Sequence, residues 1–292
     1  MKKFFITLTV LAFAMFSANA EEKTKTYDFG DITGIAAGGT YQVHVTEGKS
    51  DKVKVVYDSD IETYVELEVR YFSGTLTLTR KQKKPFKNWT NDTEIHVYLE
   101  MDDINKIELS GASKAEFTGK FETERLELEL SGASDMNDLM INGKELEINL
   151  SGASKAKVTG DFSGNAEIDL SGASKLTWTG NAASLEAELS GASNFRSSGN
   201  LRNCTVSCSG ASNANLSGKT AAADYECSGA SVVDAEKMFS KTASVELTGA
   251  SKAHVYASEL LKYNVSRSSK MTYYGDAELK NMSTDTNVVR GR

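Results

Sequence analysis

Acidic side chains recur at fixed distances before a repeated glycine, and these rows carry the densest chemistry in the sequence. The tetrad Ser-Gly-Ala-Ser, or Thr-Gly-Ala-Ser in its last full copy, places its glycine at Gly111, Gly132, Gly152, Gly172, Gly191, Gly210, Gly229 and Gly249. The third residue before the glycine is acidic at Glu108, Glu129, Asp169, Glu188, Glu226 and Glu246, and the fifth at Glu127, Glu147, Glu167, Glu186 and Asp224. Carboxylates in rows can bind cations, and carboxylates clustered in pairs can act as general acid and base.

Two interpretations of these rows are open from the sequence. An exposed acidic face keeps a repeat protein soluble, because water and salt screen the repulsion between its charges. The same face can bind divalent cations or a cationic partner, although the sequence contains no Asp-rich calcium loop of the nonapeptide type. If a ligand binds, we expect it along the row from Glu108 to Glu246. An opposing basic column follows the tetrad at Lys114, Lys155, Lys175, Lys252 and Lys270.

Aromatic and histidine side chains offer fewer candidates. Tyr256 and Tyr274 fall on outward positions one repeat apart, where they could contact a sugar ring or belong to a C-terminal cap. His44, His96 and His254 lie on different predicted strands, so we expect neither a metal site nor a catalytic dyad among them. The sequence therefore predicts no catalytic residue, no metal site and no cofactor.

The residues between the acids predict the element that positions them. The second and fourth residues before each glycine are mostly apolar, as in Leu130 and Leu128 or Leu150 and Ile148, and polar residues separate them. This alternation is typical of a strand with one buried face. Each repeat is a strand, the tetrad, a second strand and a glycine turn, which is too short for a propeller blade. We predict a parallel β-helix, right-handed by analogy with other parallel crossovers, with rungs about 4.8 Å apart.

The tetrad itself has a steric explanation. A rung this narrow must bend sharply around a thin core, and glycine adopts backbone angles that other residues avoid. The serines can hydrogen-bond to neighbouring backbone groups. If the alternation of inward and outward positions continues through the tetrad, its second serine points inward. The sequence alone leaves this open.

The pattern divides the chain into consecutive parts. Residues 1–20 have a basic start, an apolar middle too short to cross a bilayer, and Ala18-Asn19-Ala20 at their end, which predicts a cleaved signal peptide. We predict one domain at 21–276, with irregular opening rungs and a cap at 27–104 and tetrad rungs at 105–275, then a tail or second cap at 277–292. Within the opening rungs, strands are expected at 40–46, 52–57, 65–71, 75–79 and 94–100, and a solvated loop at 81–90.

Charge and cysteine content limit the partners. The formal net charge is −7, and cleavage after residue 20 removes Lys2 and Lys3 and makes it −9, which disfavours nucleic acid or an anionic membrane as a partner. No second apolar span follows, so we expect no transmembrane segment in the mature chain. Cys204, Cys208 and Cys227 fall on inward positions, where we expect small buried thiols. A bridge between Cys208 and Cys227 is the alternative, and its geometry is demanding.

The ends of the repeat region carry a further pattern. It runs from Ile35 and Gly39-Thr40-Tyr41-Gln42-Val43 through Gly74-Thr75-Leu76 and the Leu-Ser-Gly-Ala-Ser rungs to Tyr273-Tyr274-Gly275-Asp276. Over residues 28–276 this resembles the auto-transporter adhesin, head GIN domain family, exported proteins common in Bacteroidetes-type bacteria. The resemblance implies a β-helix-like fold, an exported location and an adhesive role, and it brings no catalytic residues. Ala277 stands where the family often has proline.

These observations predict a non-enzymatic protein that acts as a binding, adhesion or scaffolding surface in the bacterial envelope. We expect it in the periplasm, at the cell surface or outside the cell, with a cell-surface polysaccharide or another envelope protein as its partner. One alternative is a polysaccharide lyase or hydrolase, which would need a compact cluster of carboxylates where this sequence singles out no rung. Another is a periplasmic envelope-assembly or stress factor.

Overall fold

The structure is a computed structural model that describes residues 22–83, 94–282 and 287–291. The predicted signal peptide, most of the loop predicted at 81–90 and part of the predicted C-terminal tail lie outside these residues. One short helix, α1 (Ile61–Tyr64), accompanies the strands. The strands are β1 (Glu22–Asp28), β2 (Gly34–Gly39), β3 (Tyr41–Glu47), β4 (Lys52–Asp58), β5 (Val65–Phe72), β6 (Thr75–Gln82), β7 (Ile95–Met101), β8 (Lys106–Gly111), β9 (Lys114–Thr118), β10 (Phe121–Leu130), β11 (Asp135–Leu150), β12 (Lys155–Thr159), β13 (Phe162–Leu170), β14 (Lys175–Thr179), β15 (Ala182–Leu189), β16 (Asn194–Cys208), β17 (Asn213–Cys227), β18 (Val232–Leu247), β19 (Lys252–Val265), β20 (Lys270–Tyr274), β21 (Glu278–Asn281) and β22 (Val288–Arg290).

The repeats stack as parallel rungs with equivalent residues in register. On the strands before the tetrad, one column of direct partners is Leu109, Leu130, Leu150, Leu170, Leu189, Cys208, Cys227, Leu247 and Val265. On the strands after the tetrad, Lys155 of β12 is the partner of Lys175 of β14. The prediction of a parallel β-helix is confirmed, whereas its right-handed sense stays a prediction.

Alternate side chains of each rung fill the core, as the sequence pattern predicts. Leu150 and Leu170 are each 2% exposed, and Asp169, which precedes Leu170 on β13, is exposed. Burying one such leucine side chain stabilises a fold by about 1.5–3 kcal/mol. The alternation also predicts an exposed Glu147, but this residue is half-buried: its carboxylate accepts from Arg125 of the preceding rung, and its side chain is 30% exposed.

The tetrad turn joins each rung to the one before it. Gly152 has φ +69°, and the next residue, Ala153, donates its N–H to the Gly132 carbonyl oxygen at 2.7 Å. A Cβ on Gly152 would lie 2.6 Å from that same oxygen, closer than real Cβ contacts occur. The turn therefore excludes a side chain by backbone angle and by contact, which confirms the steric explanation.

The second serine of the tetrad points inward, which the sequence left open. Ser154 is 0% exposed, and its Oγ donates to the carbonyl oxygen of Ser151, the first serine of the same tetrad, at 2.8 Å. Ser134, Ser212 and Ser231 make the same bond. In these four rungs the local bond supplies a partner for the buried hydroxyl, whereas the hydroxyls of Ser113, Ser174 and Ser193 have none among the described residues.

The opening residues enter the stack out of chain order. β2 and β3 lie directly beside β8 and β9, the first tetrad rung, while β6 and β7 pair with the opposite edges of β2 and β3. The outermost opening rung is therefore later in the sequence than its inner neighbour. β4 pairs antiparallel with β1 and with β7, and β5 pairs antiparallel with β6, so antiparallel strands cover this end of the stack. All five strands predicted here are present.

One opening rung has the tetrad turn without the tetrad sequence. Gly39 is the partner of Gly111, and its carbonyl accepts from Ala112 at 2.7 Å, so Tyr41 occupies the place that Ser113 has one rung later. Tyr41 is 0% exposed, and its hydroxyl donates to the Thr79 carbonyl at 2.6 Å. The turn depends on the glycine, and the inward position accepts either a serine or a large ring.

The remaining expectations concern the cysteines and the end of the chain. Cys204, Cys208 and Cys227 are free and buried, as the sequence predicts. After Gly275, β21 and β22 pair with β19 and β20 and extend the stack. Among the described residues, we find no helix with the length and hydropathy needed to cross a membrane.

Candidate functional site

A long groove follows the outer surface just before the tetrad turns, and we call it the acidic groove. Its volume is about 610 Å³, and it extends from Glu108 to Glu246. One row of its lining is the third residue before each glycine: Glu108, Glu129, Asn149, Asp169, Glu188, Ser207, Glu226 and Glu246. The other is the residue just before the glycine: Ser131, Ser151, Ser171, Ser190, Ser209, Ser228 and Thr248. The structure thus brings together all six acids that the sequence proposed as a binding row.

The strand alternation and the tetrad turn together position both rows. The third residue before the glycine and the residue just before it have the same parity, so both point outward while the leucine or cysteine between them is buried. Adjacent rungs keep this order, since Asp169 is the direct partner of Asn149 and of Glu188. Eight rungs separated by about 4.8 Å give the groove a length of about 34 Å.

The hydroxyl row was not proposed as part of a site, although its signal was available in the sequence. Ser209 Oγ donates to the Leu189 carbonyl at 3.2 Å, and Ser171 Oγ approaches the Leu150 carbonyl at 3.5 Å. A hydroxyl that donates to backbone keeps lone pairs that can accept a hydrogen bond. The first serine of each tetrad has the same parity as the acids, and that parity places it in the groove.

The carboxylates of the groove influence one another most clearly near its first rungs. Partial burial raises the pKa of Glu129, and the neighbouring carboxylates of Glu127 and Glu108 add to the increase. Lys106 donates to Glu127 at 2.9 Å, and this bond lowers the pKa of Glu127. Glu129 therefore accepts a proton more readily than Glu127 as pH falls.

The lining defines what the acidic groove can bind. In the part of the chain that the structure describes, its lining residues include no histidine, lysine or arginine. Carboxylates accept hydrogen bonds, and serine hydroxyls both donate and accept. The groove therefore suits a partner that carries many hydrogen-bond donors or positive charges, and it disfavours a polyanion.

The two tyrosines proposed with the acids lie elsewhere. Tyr256 and Tyr274 are direct partners on β19 and β20, the strands after the tetrad, and neither lines the groove. Tyr256 packs edge to face against Phe239, with ring centroids 5.0 Å apart, and both tyrosines are half-buried. The acids and the tyrosines that the sequence offers as contact residues therefore lie in two separate regions.

The structure brings together two of the three histidines, although the sequence places them on different strands. His44 Nε2 and His96 Nδ1 are 3.1 Å apart on β3 and β7, and the two rings stack with centroids 5.4 Å apart. His254 lies with Asp234 and Glu236, and their ligand atoms are all within 4.8 Å of one another. The first pair arises from strands distant in sequence, whereas His254 lies one repeat after Asp234, at the same distance from its tetrad glycine.

Comparison with known protein families gives one match that extends over most of the chain. The sequence matches the family described as "Putative auto-transporter adhesin, head GIN domain" over residues 31–177 and 165–277. Comparison with curated proteins found no match.

Similar solved structures include three proteins of Parabacteroides, each with 16% sequence identity. A "putative adhesin" of Parabacteroides distasonis has a TM-score of 0.50, with 93% of this chain and 97% of that chain covered. A "putative adhesin" of Parabacteroides merdae has a TM-score of 0.49 and coverages of 94% and 98%. A "Putative lipid binding protein" of Parabacteroides distasonis has a TM-score of 0.48 and the same coverages. Identity this low, even at the TM-score of 0.50, shows a shared fold and nothing of a shared ligand.

Proposed function

The chain belongs to the head GIN domain family, and from this premise we propose that it is an exported binding protein that holds an extended polysaccharide in the acidic groove without cleaving it. The observation that carries the proposal is the pair of rows between Glu108 and Glu246, one with carboxylates on six of its eight rungs and one of hydroxyls. A site of this shape contacts a polymer at many equivalent points, and affinity is summed over those points.

The chemistry of the groove favours some polysaccharides over others. Sugar hydroxyls can donate to the carboxylates and exchange hydrogen bonds with the serine row. Ammonium groups on an amino sugar would add charge-assisted bonds, which are about twice as strong as neutral ones. Uronate polymers would be repelled by the same carboxylates. We therefore propose neutral and, above all, amine-bearing polysaccharides as the ligand class.

The regular spacing of the groove supports binding without catalysis. A glycosidase needs one protonated and one ionised carboxyl group on opposite sides of the scissile bond. Here the carboxylates of the groove stand in one row, on six of its eight rungs. The pKa of Glu129 is raised, so a hydrolase would use this residue as the acid. Release of reducing ends from a bound polysaccharide, abolished by Glu129→Gln, would show that the protein is an enzyme.

Export supports the envelope as the place of action. Residues 1–20 have the pattern of a cleaved signal peptide. Cell fractionation and N-terminal sequencing of the native protein test this part of the proposal. We expect an envelope or extracellular protein that begins at Glu21, and recovery of the uncleaved chain in the cytoplasm would contradict it.

The ligand class is tested with a matched pair of double variants. Glu188→Gln with Glu226→Gln removes two charges from the groove, while Glu186→Gln with Asp224→Asn removes two equally exposed charges from the same strands outside it. Binding of a neutral glucan, chitosan and a polyuronate is measured by affinity electrophoresis at low and high salt. We expect chitosan to bind best and the groove variant to bind at least about tenfold more weakly, a loss of about 1.4 kcal/mol.

The control variant and the salt series decide how binding is interpreted. The control variant should bind chitosan within about twofold of the unmodified protein. Equal weakening in both double variants would mean non-specific attraction to a net negative chain. Binding of the polyuronate as tightly as chitosan would contradict the proposed ligand class.

A further inference from the structure

A second site lies outside the acidic groove, on the strands that follow the tetrad. Asp234 and Glu236 are two residues apart on β18, so both side chains point to the outer surface. His254 on β19 is the direct partner of Asp234. One imidazole nitrogen and two carboxylate oxygens from these residues lie within 4.8 Å of one another.

The rung at this site departs from the regularity of its neighbours. Asn215 of β17 is the partner of Asp234, but Ser217 is the partner of Lys237, so β18 contains one extra residue between them. The register with β19 also shifts after Ala235. Bulges of this kind change the direction of side chains and occur often beside functional sites. Register shifts also occur between β11 and β12, between β11 and β13 and between β13 and β15, so the bulge marks this rung only together with its three side chains.

We propose that Asp234, Glu236 and His254 bind a divalent transition-metal ion, with Zn²⁺ as its representative. Imidazole nitrogen together with carboxylate oxygen is a donor set that Zn²⁺ accepts, whereas Ca²⁺ and Mg²⁺ prefer oxygen alone. In a tetrahedral site with bonds of 2.0–2.1 Å, the donors lie about 3.4 Å apart. The ligand atoms now lie within 4.8 Å of one another, and small rotations of these surface side chains can bring them to that separation.

The coordination would leave one position open. Three protein ligands occupy three of the four tetrahedral positions. A bound cation offsets the negative charges of Asp234 and Glu236 and the repulsion between them. The open position is where a carboxylate or hydroxyl group of a partner would coordinate.

Isothermal titration of the chelator-treated protein with Zn²⁺ tests the site, with Ca²⁺ in excess as the competing ion. We expect one Zn²⁺ per chain that Ca²⁺ does not displace. His254→Ala and Asp234→Asn should each weaken binding at least about tenfold, while Asp224→Asn, an exposed acid on β17, should leave it unchanged.

A second pair of histidines offers an alternative location for Zn²⁺, and the test must distinguish the two locations. His44 and His96 form the other histidine pair, so the double variant His44→Gln with His96→Gln is titrated in parallel. It should bind Zn²⁺ as the unmodified protein does. Loss of the Zn²⁺ site in this double variant, unchanged binding in His254→Ala, displacement by Ca²⁺ or no saturable binding would each overturn the proposal. Thermal melts of all variants should coincide, since the ligands lie at the surface.

Discussion

The tetrad rungs at 105–275 and the opening residues at 22–104 close the same core by different chemistry. In the tetrad rungs, backbone groups make the recurring contacts, as between Ala153 and the Gly132 carbonyl, and one turn is repeated. In the opening residues, the corresponding contacts are hydrogen bonds made by side chains. Tyr41 donates to the Thr79 carbonyl, and Glu62 accepts from Lys23, Lys25 and Tyr57.

This difference indicates which changes each region tolerates. A contact made by backbone atoms is lost only when a side chain is added where none fits. A contact made by side chains is lost when one group is removed or changes its charge. The tetrad rungs should therefore be the more sensitive to added volume, and the opening residues should be the more sensitive to the loss of a single side-chain group.

The largest expected effect is that of a single methyl group added at Gly199, in the glycine turn at the end of a repeat. A Cβ on Gly199 would lie 1.7 Å from the Gly180 carbonyl oxygen, so the rungs must separate to admit it. We expect Gly199→Ala to lower the free energy of unfolding by about 4 kcal/mol or more. Gly30→Ala in the opening residues meets only Tyr71 Oη at 3.4 Å and should cost less than about 0.5 kcal/mol. Urea denaturation compares them, and equal midpoints would remove the distinction.

Core packing should be the property that the two regions share. Leu150 of β11 is 2% exposed and Leu78 of β6 is 0% exposed. We expect Leu150→Ala and Leu78→Ala each to cost about 2–5 kcal/mol, while Asp169→Asn at the surface should be nearly neutral. A much smaller loss for Leu78→Ala, measured in the same urea series, would mean that the opening residues pack loosely.

Two buried tyrosines test the difference in polar contacts. The Tyr41 hydroxyl donates to the Thr79 carbonyl, whereas the Tyr225 hydroxyl has no oxygen or nitrogen partner among the described residues and adjoins the Cys204 thiol. Tyr41→Phe should cost about 1 kcal/mol because a buried carbonyl loses its donor. Tyr225→Phe should change the free energy of unfolding by less than half of that. The reverse order in thermal melts would contradict this assignment.

The smallest effect should be the dependence of stability on pH that Glu62 contributes in the opening residues. A hydrogen bond from Lys23, with others from Tyr57 and Lys25, lowers the pKa of Glu62 from 4.5 to about 2. Since the folded pKa lies below the unfolded one, the contribution of Glu62 is present above pH 4.5 and is lost as pH falls toward 2. Glu62→Gln should therefore be less stable than the unmodified protein at pH 7 and equal to it near pH 2. A difference that stays constant between these pH values would show that the carboxylate charge is not involved.

The sequence predicts the tetrad rungs well and the opening residues only as a set of strands. Register is visible in the repeats because every rung presents the same residue to its neighbour, as with Leu150 and Leu170. In the opening residues, the order of rungs follows from pairings across long distances, such as β3 with β7, that no local pattern encodes. Tyr41 in the place of a serine is invisible for the same reason.

The candidate site shows the same division. The acids of the groove follow from parity alone, and so does the serine row once the turn is known. The His44–His96 pair and the group at Asp234 require the stacking of particular strands and a bulge in β18. Irregular features of this kind depend on three-dimensional register, which the sequence pattern does not contain.

The constant register of the tetrad turns has a consequence for how such a protein changes its size. Removal of residues 153–172 would join Gly152 to Ala173 and leave every remaining column aligned, because each turn contacts only the turns beside it. We expect that shortened chain to fold. Near-identical repeats also recombine readily in DNA, so whole rungs can be gained or lost while the remaining rungs keep their register. The number of rungs then sets the length of the acidic groove.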